Sequence, residues 1–295
     1  MALTINTNIS SLVAQRNLAN ATGSLNKAIE RMTTGYKINH AGDNAAGYSI
    51  ARNWETQLGS LDVAADNAAM GADMMSTLED HYSLISSHLQ RVRDLTEQAA
   101  NGTYGSDSLN AIKSEITARL EEVDRIAANC EYNGRKMMDG EGIKSAIKLQ
   151  VGLYSGTDSQ IELAGSLFES AKIGDLFNKY SKGDGTTDST LNDKDKVAAA
   201  CTGANASNML NKIDNVIKEI SNRTTTLGAA QNRIDSAIES IGVQSENITS
   251  SLSTLRDADI SKESSNYIKA QILQQAAATL LSTANQTPSI ALNLL

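Results

Sequence analysis

The chain has 295 residues, a formal net charge of −8 and a pI near 5.0. That balance excludes nucleic acid as the main partner, because phosphate binding needs a concentrated positive field. Aromatic residues are 4%, charged residues 20%, and the single proline is Pro288, so long unbroken helices are open to a chain that almost lacks the residue that breaks them.

In chain order, the first segment is amphipathic. Ile5, Ile9 and Leu12 precede Leu18, Leu25 and Met32, which lie seven apart with Ile29 between them. A lone helix cannot bury such a face. Asp43-Asn44 suits a cap for the next helix. That helix carries Trp54, Leu61, Ala68, Met75, Tyr82 and Leu89, again seven apart, with Leu78, Ile85 and Val92 three residues after the last three. Asn101-Gly102 punctuates the chain. A further series is Leu109, Ile116, Val123 and Cys130, joined by Ile112 and Ile126. Arg119 breaks the strict pattern and Leu120 keeps the face apolar. Ser106 or Ser108 is the expected cap, and Asn133-Gly134 the turn that follows.

Ile147, Leu149, Val151 and Leu153 then alternate with other residues. A Ser155-Gly156-Thr157-Asp158-Ser159 loop leads to Ile161 and Leu163, which reads as a hairpin. Residues 181–207 are polar and rich in Gly, Thr, Asp, Lys and Asn, as an exposed variable loop would be. The longest seam follows: Ile213, Ile220, Leu227, Ile234, Ile241, Ile248 and Leu255, the pattern of a long helix in a coiled-coil-like bundle. At the far end Ile268, Ile272, Leu273, Ala277, Leu280 and Ala284 keep helical spacing on one face. Both terminal segments need each other, or a neighbouring molecule, to bury that face. The expected fold is mainly α: an elongated helical bundle with a small β-hairpin region, two of its helices roughly 45 residues or about 70 Å long. Its core positions are Trp54, Leu61, Leu89, Leu109, Ile116, Val123, Ile220, Leu227, Ile234 and Ile241.

Tests for chemistry find no catalytic residue, no metal site and no cofactor site. His81 and His88 are two helical turns apart, roughly 10 Å along the axis, too far to share one metal, and each flanks a seam residue. There is no His-Glu-x-x-His and no phosphate-cradling Gly-Lys-Ser/Thr loop. Two cysteines make no disulfide framework. Cys130 falls on an apolar helix position and reads as a small core residue; Cys201 lies in a polar stretch that leaves exposure and role open. No apolar run is long enough to cross a bilayer, and the opening residues carry no ordinary secretory signal.

Three stretches carry a resemblance. The first runs through Ile5-Asn6-Thr7-Asn8-Ile9, Ser11-Leu12, Ala14-Gln15-Arg16, Arg31 to Gly35 and Asp43-Asn44-Ala45-Ala46-Gly47. The second is Gln90-Arg91-Val92-Arg93-Asp94-Leu95 with Gln98 to Thr103. The third comprises Gln271 to Ala276, Ala284 to Pro288 and Leu292-Asn293-Leu294-Leu295. In this order they resemble bacterial flagellins, over roughly residues 1–165 and 208–295. Met32 to Gly35, Lys37 and Asp43-Asn44 depart mildly from the family's usual Leu-Ser-Ser-Gly, Arg and Asp-Asp.

The resemblance implies a structural, non-enzymatic subunit that polymerises with itself into the extracellular flagellar filament for motility. Residues 1–42 and 257–295 would pair as helices lining the filament core, with Ile5, Ile9, Leu12, Leu18, Leu25, Ile268, Ile272, Leu273, Leu280, Leu294 and Leu295 as assembly residues. Residues 43–256 would form the surrounding bundle and hairpin, with no large outer domain. Implied partners are a flagellar export chaperone, capping proteins and the hook-associated junction protein, with type III export replacing a signal peptide. The resemblance also implies recognition by host Toll-like receptor 5 through Arg91, Leu95 and Glu115. The alternative is a hook–filament junction protein, which shares flagellin-like ends; a filament-borne protease is disfavoured by the missing zinc motif.

Overall fold

The computed structural model describes residues 8–143, 145–181, 190–202 and 206–292, with side chains to residue 286. Among the described residues there are seven α-helices: α1 (Ile9–Thr34), α2 (Ala45–Ala100), α3 (Ser106–Asn129), α4 (Ile173–Tyr180), α5 (Lys194–Thr202), α6 (Ala206–Arg256) and α7 (Ile260–Leu292). Two small antiparallel sheets accompany them, β1 (Glu131–Tyr132) with β2 (Arg135–Lys136) and β3 (Ile147–Gln150) with β4 (Gln160–Leu163). The mainly helical class expected from the spacing holds. The chain divides into two units, one of residues 1–59 and 245–295 and one of residues 60–244.

The middle unit contains the larger core. Ala68, Met75, Tyr82 and Leu89 of α2 are fully buried, as are Ile116, Leu120 and Val123 of α3 and Ile213, Leu227 and Ile234 of α6. Each large aliphatic side chain taken from water into such a core stabilises it by about 1.5–3 kcal/mol. Tyr82, the one phenol among these, donates its hydroxyl to the Leu167 carbonyl at 2.9 Å, so its polar end is satisfied. Leu109, near the start of α3, is only half-buried. That helix is not capped by Ser106 or Ser108: its N-cap is Gly105, without a side-chain hydrogen bond. Both serines fall inside the first turn instead.

After α3 the chain reverses through Asn133 and Gly134, with φ of 49° and 75°. Tyr132 pairs with Arg135 across this two-residue turn, and an Asn-Gly pair supplies the positive φ that it demands. In the second sheet Ile147 faces Leu163 and Leu149 faces Ile161. The expected strand through Leu153 ends at Gln150, whose side-chain amide donates to the carbonyls of Gly152 and Tyr154 and bends the chain away. The stretch expected to be an exposed loop at 181–207 instead contains α5, with Val197, Ala198 and Cys201 fully buried. Its polar residues line the outer face of a short amphipathic helix. Residues 182–189 and 203–205 of that stretch lie outside the described residues.

The terminal unit is organised by the antiparallel pair α1 and α7. Asn8 donates to the Ala284 carbonyl at 2.7 Å, Gln274 to the Thr22 hydroxyl at 3.1 Å, and Arg31 pairs with Glu263 at 3.3 Å. Helix α1 stops at Gly35, whose φ of 75° places it in the left-handed cap while its N–H returns to the Arg31 carbonyl. Gly35 then accepts from the Ala258 N–H, and the Lys37 N–H donates to Arg256, which ties the two connections together. Asn44 caps α2 by accepting the Gly47 N–H at 3.0 Å, as its residue type suggests.

Candidate assembly and recognition surfaces

Helices α1 and α7 meet through small residues. Ala14, Ala21 and Ala28, seven apart on α1, are buried, and so are Ala270 and Ala277 of α7. Small side chains let helix axes approach closely. An open groove of about 650 Å³ runs along this pair, its floor formed by the alanines and its rim by polar residues such as Asn17, Lys27, Asn266 and Lys269. Large apolar side chains stay exposed on this pair: Ile9 is 68% exposed, Leu12 58%, Ile272 59% and Leu280 63%, Ile268 and Leu273 are half-exposed or more, and Leu273 and Leu280 also line the groove. Leu18 and Leu25 are half-buried. Ile5, Leu294 and Leu295 lie outside the described residues. The alanine stripe is written in the sequence as a seven-residue repeat of small side chains, beside the more conspicuous large aliphatic ones.

At the turn between α1 and α2, Asp43 gathers three donors. Lys27 reaches it at 2.8 Å, and the Asn39 and His40 N–H groups each donate at 3.3 Å. The Lys27 hydrogen bond is the main reason that its carboxyl pKa falls to about 2; the backbone donors add to it, against the opposing effect of burial.

In the middle unit, Arg91 of α2 and Glu115 of α3 form a surface ion pair, with Arg91 Nη2 2.9 Å and Nε 3.0 Å from Glu115 Oε1. Both remain about two-fifths exposed. Leu95 does not join them at the surface. It is 1% exposed and belongs to the core, so as folded it offers no area to a receptor. Leu95 lies one turn beyond Arg91 on α2, and the packing around the helix encloses that position.

The charged residue that sequence patterns missed is Arg223. Its side chain is 2% exposed, yet it donates to Glu219, to the Glu169 carboxylate and to the Glu169 and Ser170 carbonyls, and it stacks on Tyr180 at 5.3 Å. It pins the segment before α4 to α6 through a full set of partners, the condition under which a buried cation is tolerated. Its position on α6 between seam residues Ile220 and Leu227 was the available signal. Cys130 and Cys201 are both buried and free; burial pushes their thiols up to about 12 and about 11, which makes them poor nucleophiles. The exposure left open for Cys201 is thereby decided. Trp54 is half-buried in the terminal unit. Among the described residues no three His, Cys, Asp or Glu side chains come together to hold a metal ion, and no helix is long and apolar enough to cross a membrane.

The chain is mainly helical, its terminal helices pair, and that pair leaves several large apolar side chains exposed. Residues 5–142 match the bacterial flagellin N-terminal helical region, and residues 210–295 match the bacterial flagellin C-terminal helical region. Polar flagellin F of Vibrio parahaemolyticus is 31% identical over 378 aligned residues, covering 100% of both chains. The flagellin of Bacillus subtilis is 32% identical over 302, covering 99% of each. A solved structure described as a flagellar hook-associated protein from Vibrio parahaemolyticus aligns with a TM-score of 0.60 at 16% identity, over 73% of this chain and 100% of that one; that likeness concerns the fold alone. The chain belongs to the bacterial flagellin family and is a filament subunit of that type.

Proposed function

We propose that residues 1–42 and 257–295 form the part of the subunit that lines the filament core, and that residues 43–256 form the surrounding part, with no large outer domain. The outward row on α1 and α7 supports this reading. A helix pair that keeps alanine inside and leaves Ile9, Leu12, Ile268, Ile272, Leu273 and Leu280 exposed has most of its apolar area free for a neighbour. Covering what remains exposed of each side chain contributes about 1 kcal/mol. In the free subunit the gain from alanine contacts is set against a backbone ordering cost of about 1–2 kcal/mol per residue. The terminal helices therefore order fully on joining the filament. Neighbours contact head to tail, and a heterologous contact that does not close builds a helix. Export proceeds through the flagellar type III channel with a chaperone, and capping and junction proteins bound the filament at its ends.

Deleting residues 257–295 tests this. The shortened chain should remain helical by circular dichroism and should sediment only as a monomer. Filaments formed by it would overturn the proposal, and a full-length chain that forms no long homopolymer would point to a hook–filament junction role instead. The same reading makes the free subunit a ligand for host Toll-like receptor 5, through Arg91 and Glu115 and without Leu95. An exposed Arg held by its own carboxylate partner is a suitable interface anchor.

A further inference from the structure

Two Asn-Gly pairs lie at exposed turns, and their backbones differ. Asn133-Gly134 is clasped by the β1–β2 ladder: Tyr132 pairs with Arg135, Glu131 with Lys136, and both turn residues have positive φ. Asn101-Gly102 follows the last turn of α2 in the five-residue link to α3, 101–105, all of it exposed, with no positive φ and no ladder. There the Asn101 side-chain oxygen accepts the Thr103 N–H at 3.3 Å.

We infer that Asn101 is a site of spontaneous deamidation through a cyclic imide closed by the Gly102 nitrogen, with water as the co-reactant. The Gly102 amide nitrogen gives its proton to solvent base and attacks Asn101 Cγ. The new N–Cγ bond forms, the Cγ–Nδ2 bond breaks, and ammonia leaves with the proton returned to it. Water then opens the ring. Attack at Cγ yields aspartate; attack at the backbone carbonyl carbon yields isoaspartate, with the chain rerouted through Cγ. The net change is one water in and one ammonia out.

Three observations place the reaction at Asn101. The Thr103 N–H already sits on the oxygen where charge develops during ring closure, and a donor aimed there lowers the barrier. Glycine leaves the attacking nitrogen uncrowded, and a Cβ built at Gly102 meets nothing within 4 Å, so solvent base reaches the site; Gly134 is equally open, and the choice between the two rests on the other two observations. At Asn133 the same closure must rotate the residue out of the left-handed turn and open the ladder that follows it. The product places a carboxylate at the carboxyl end of α2, where the helix dipole is already negative, and isoaspartate lengthens the link from α2 to α3 by a backbone carbon.

The full chain is incubated in mildly alkaline buffer, digested, and read by peptide mass and by methyl transfer from a protein-isoaspartate methyltransferase. The Asn101 peptide should convert about tenfold faster than the Asn133 peptide, the factor that ~1.4 kcal/mol of barrier confers. Gly102→Ala, which the open space tolerates, should slow the Asn101 peptide and leave the Asn133 peptide and the circular dichroism spectrum unchanged. Faster conversion at Asn133, no conversion at Asn101, or an unaltered rate in Gly102→Ala would each overturn the inference.

Discussion

Asp43 shows how one residue stabilises a junction. Its carboxylate holds Lys27 of α1 and two backbone N–H groups of the turn before α2, so folding favours the charged form. The folded pKa of about 2 lies below the usual 3.8. The associated stability is therefore fully present above 3.8 and is lost as the pH falls through about 2. Asp43→Asn should lower the melting temperature at neutral pH, and its difference from the parent should shrink across that acid window, as followed by thermal circular dichroism. A constant difference down to the lowest pH would rule out the carboxylate as the cause. Arg223 makes the same point inside the middle unit. Replacing it with Met leaves the Glu219 carboxylate and the two carbonyls without their donor. The loss should be about 3 kcal/mol in urea unfolding, the low end for a broken buried pair, because Glu169 keeps 38% exposure and can turn to water. Arg223→Lys should recover only part, since an ammonium lacks the planar fork that stacks on Tyr180 and reaches four acceptors.

Elements pack here through contacts between particular neighbours. Helix α2 accepts the β3–β4 hairpin at Gly71, where an added Cβ would collide with Leu149 Cδ1. Gly71→Ala must displace the end of the Leu149 side chain, and that displacement penalty offsets the gain of about 0.5–1 kcal/mol that alanine brings to a helix interior, so urea unfolding should show little or no net stabilisation. Combined with Leu149→Ala the penalty should be smaller than the sum of the single changes, because the clash and its partner are removed together. Strict additivity would place the strain elsewhere. Helix α5 illustrates the opposite case, an element hidden in a polar sequence. Its buried residues Val197, Ala198 and Cys201 are few, and the Gly, Thr, Asp, Lys and Asn residues around them make the stretch read as polar; Lys194 pairs with Glu121 of α3 at 3.1 Å.

At the scale of the whole molecule, the two units carry different duties. The terminal unit holds the exposed apolar row, and the middle unit holds the larger core and the Arg91–Glu115 pair. The proposed receptor contact belongs to the middle unit and is testable apart from assembly. Arg91→Ala with Glu115→Ala should weaken binding of the free subunit to Toll-like receptor 5 by about tenfold or more, a loss of ~1.4 kcal/mol or greater, while polymerisation continues. The pair is a better probe than Leu95→Ala, which would empty a core position and confuse unfolding with recognition. Unchanged binding by the double variant would remove this patch from the recognition surface.

The sequence by itself determined the long helices of the middle unit and their inner faces. Ile213 through Ile241 and Ala68 through Leu89 are written as seven-residue series, and a helix turns such spacing into a single stripe whatever lies beyond it. It also determined the Asn133-Gly134 turn, because few residues accept positive φ, and the family, because its motifs are runs of adjacent residues. Only the tertiary structure decided which stripes meet. Ala14, Ala21 and Ala28 face α7 while Ile9 and Leu12 turn outward, since close approach of two helices rewards small side chains at the contact. Leu95 is enclosed and Arg223 is fully partnered for the same reason: burial depends on neighbours far away in the chain, such as Glu169 and Ser170 around Arg223, and no local period records them.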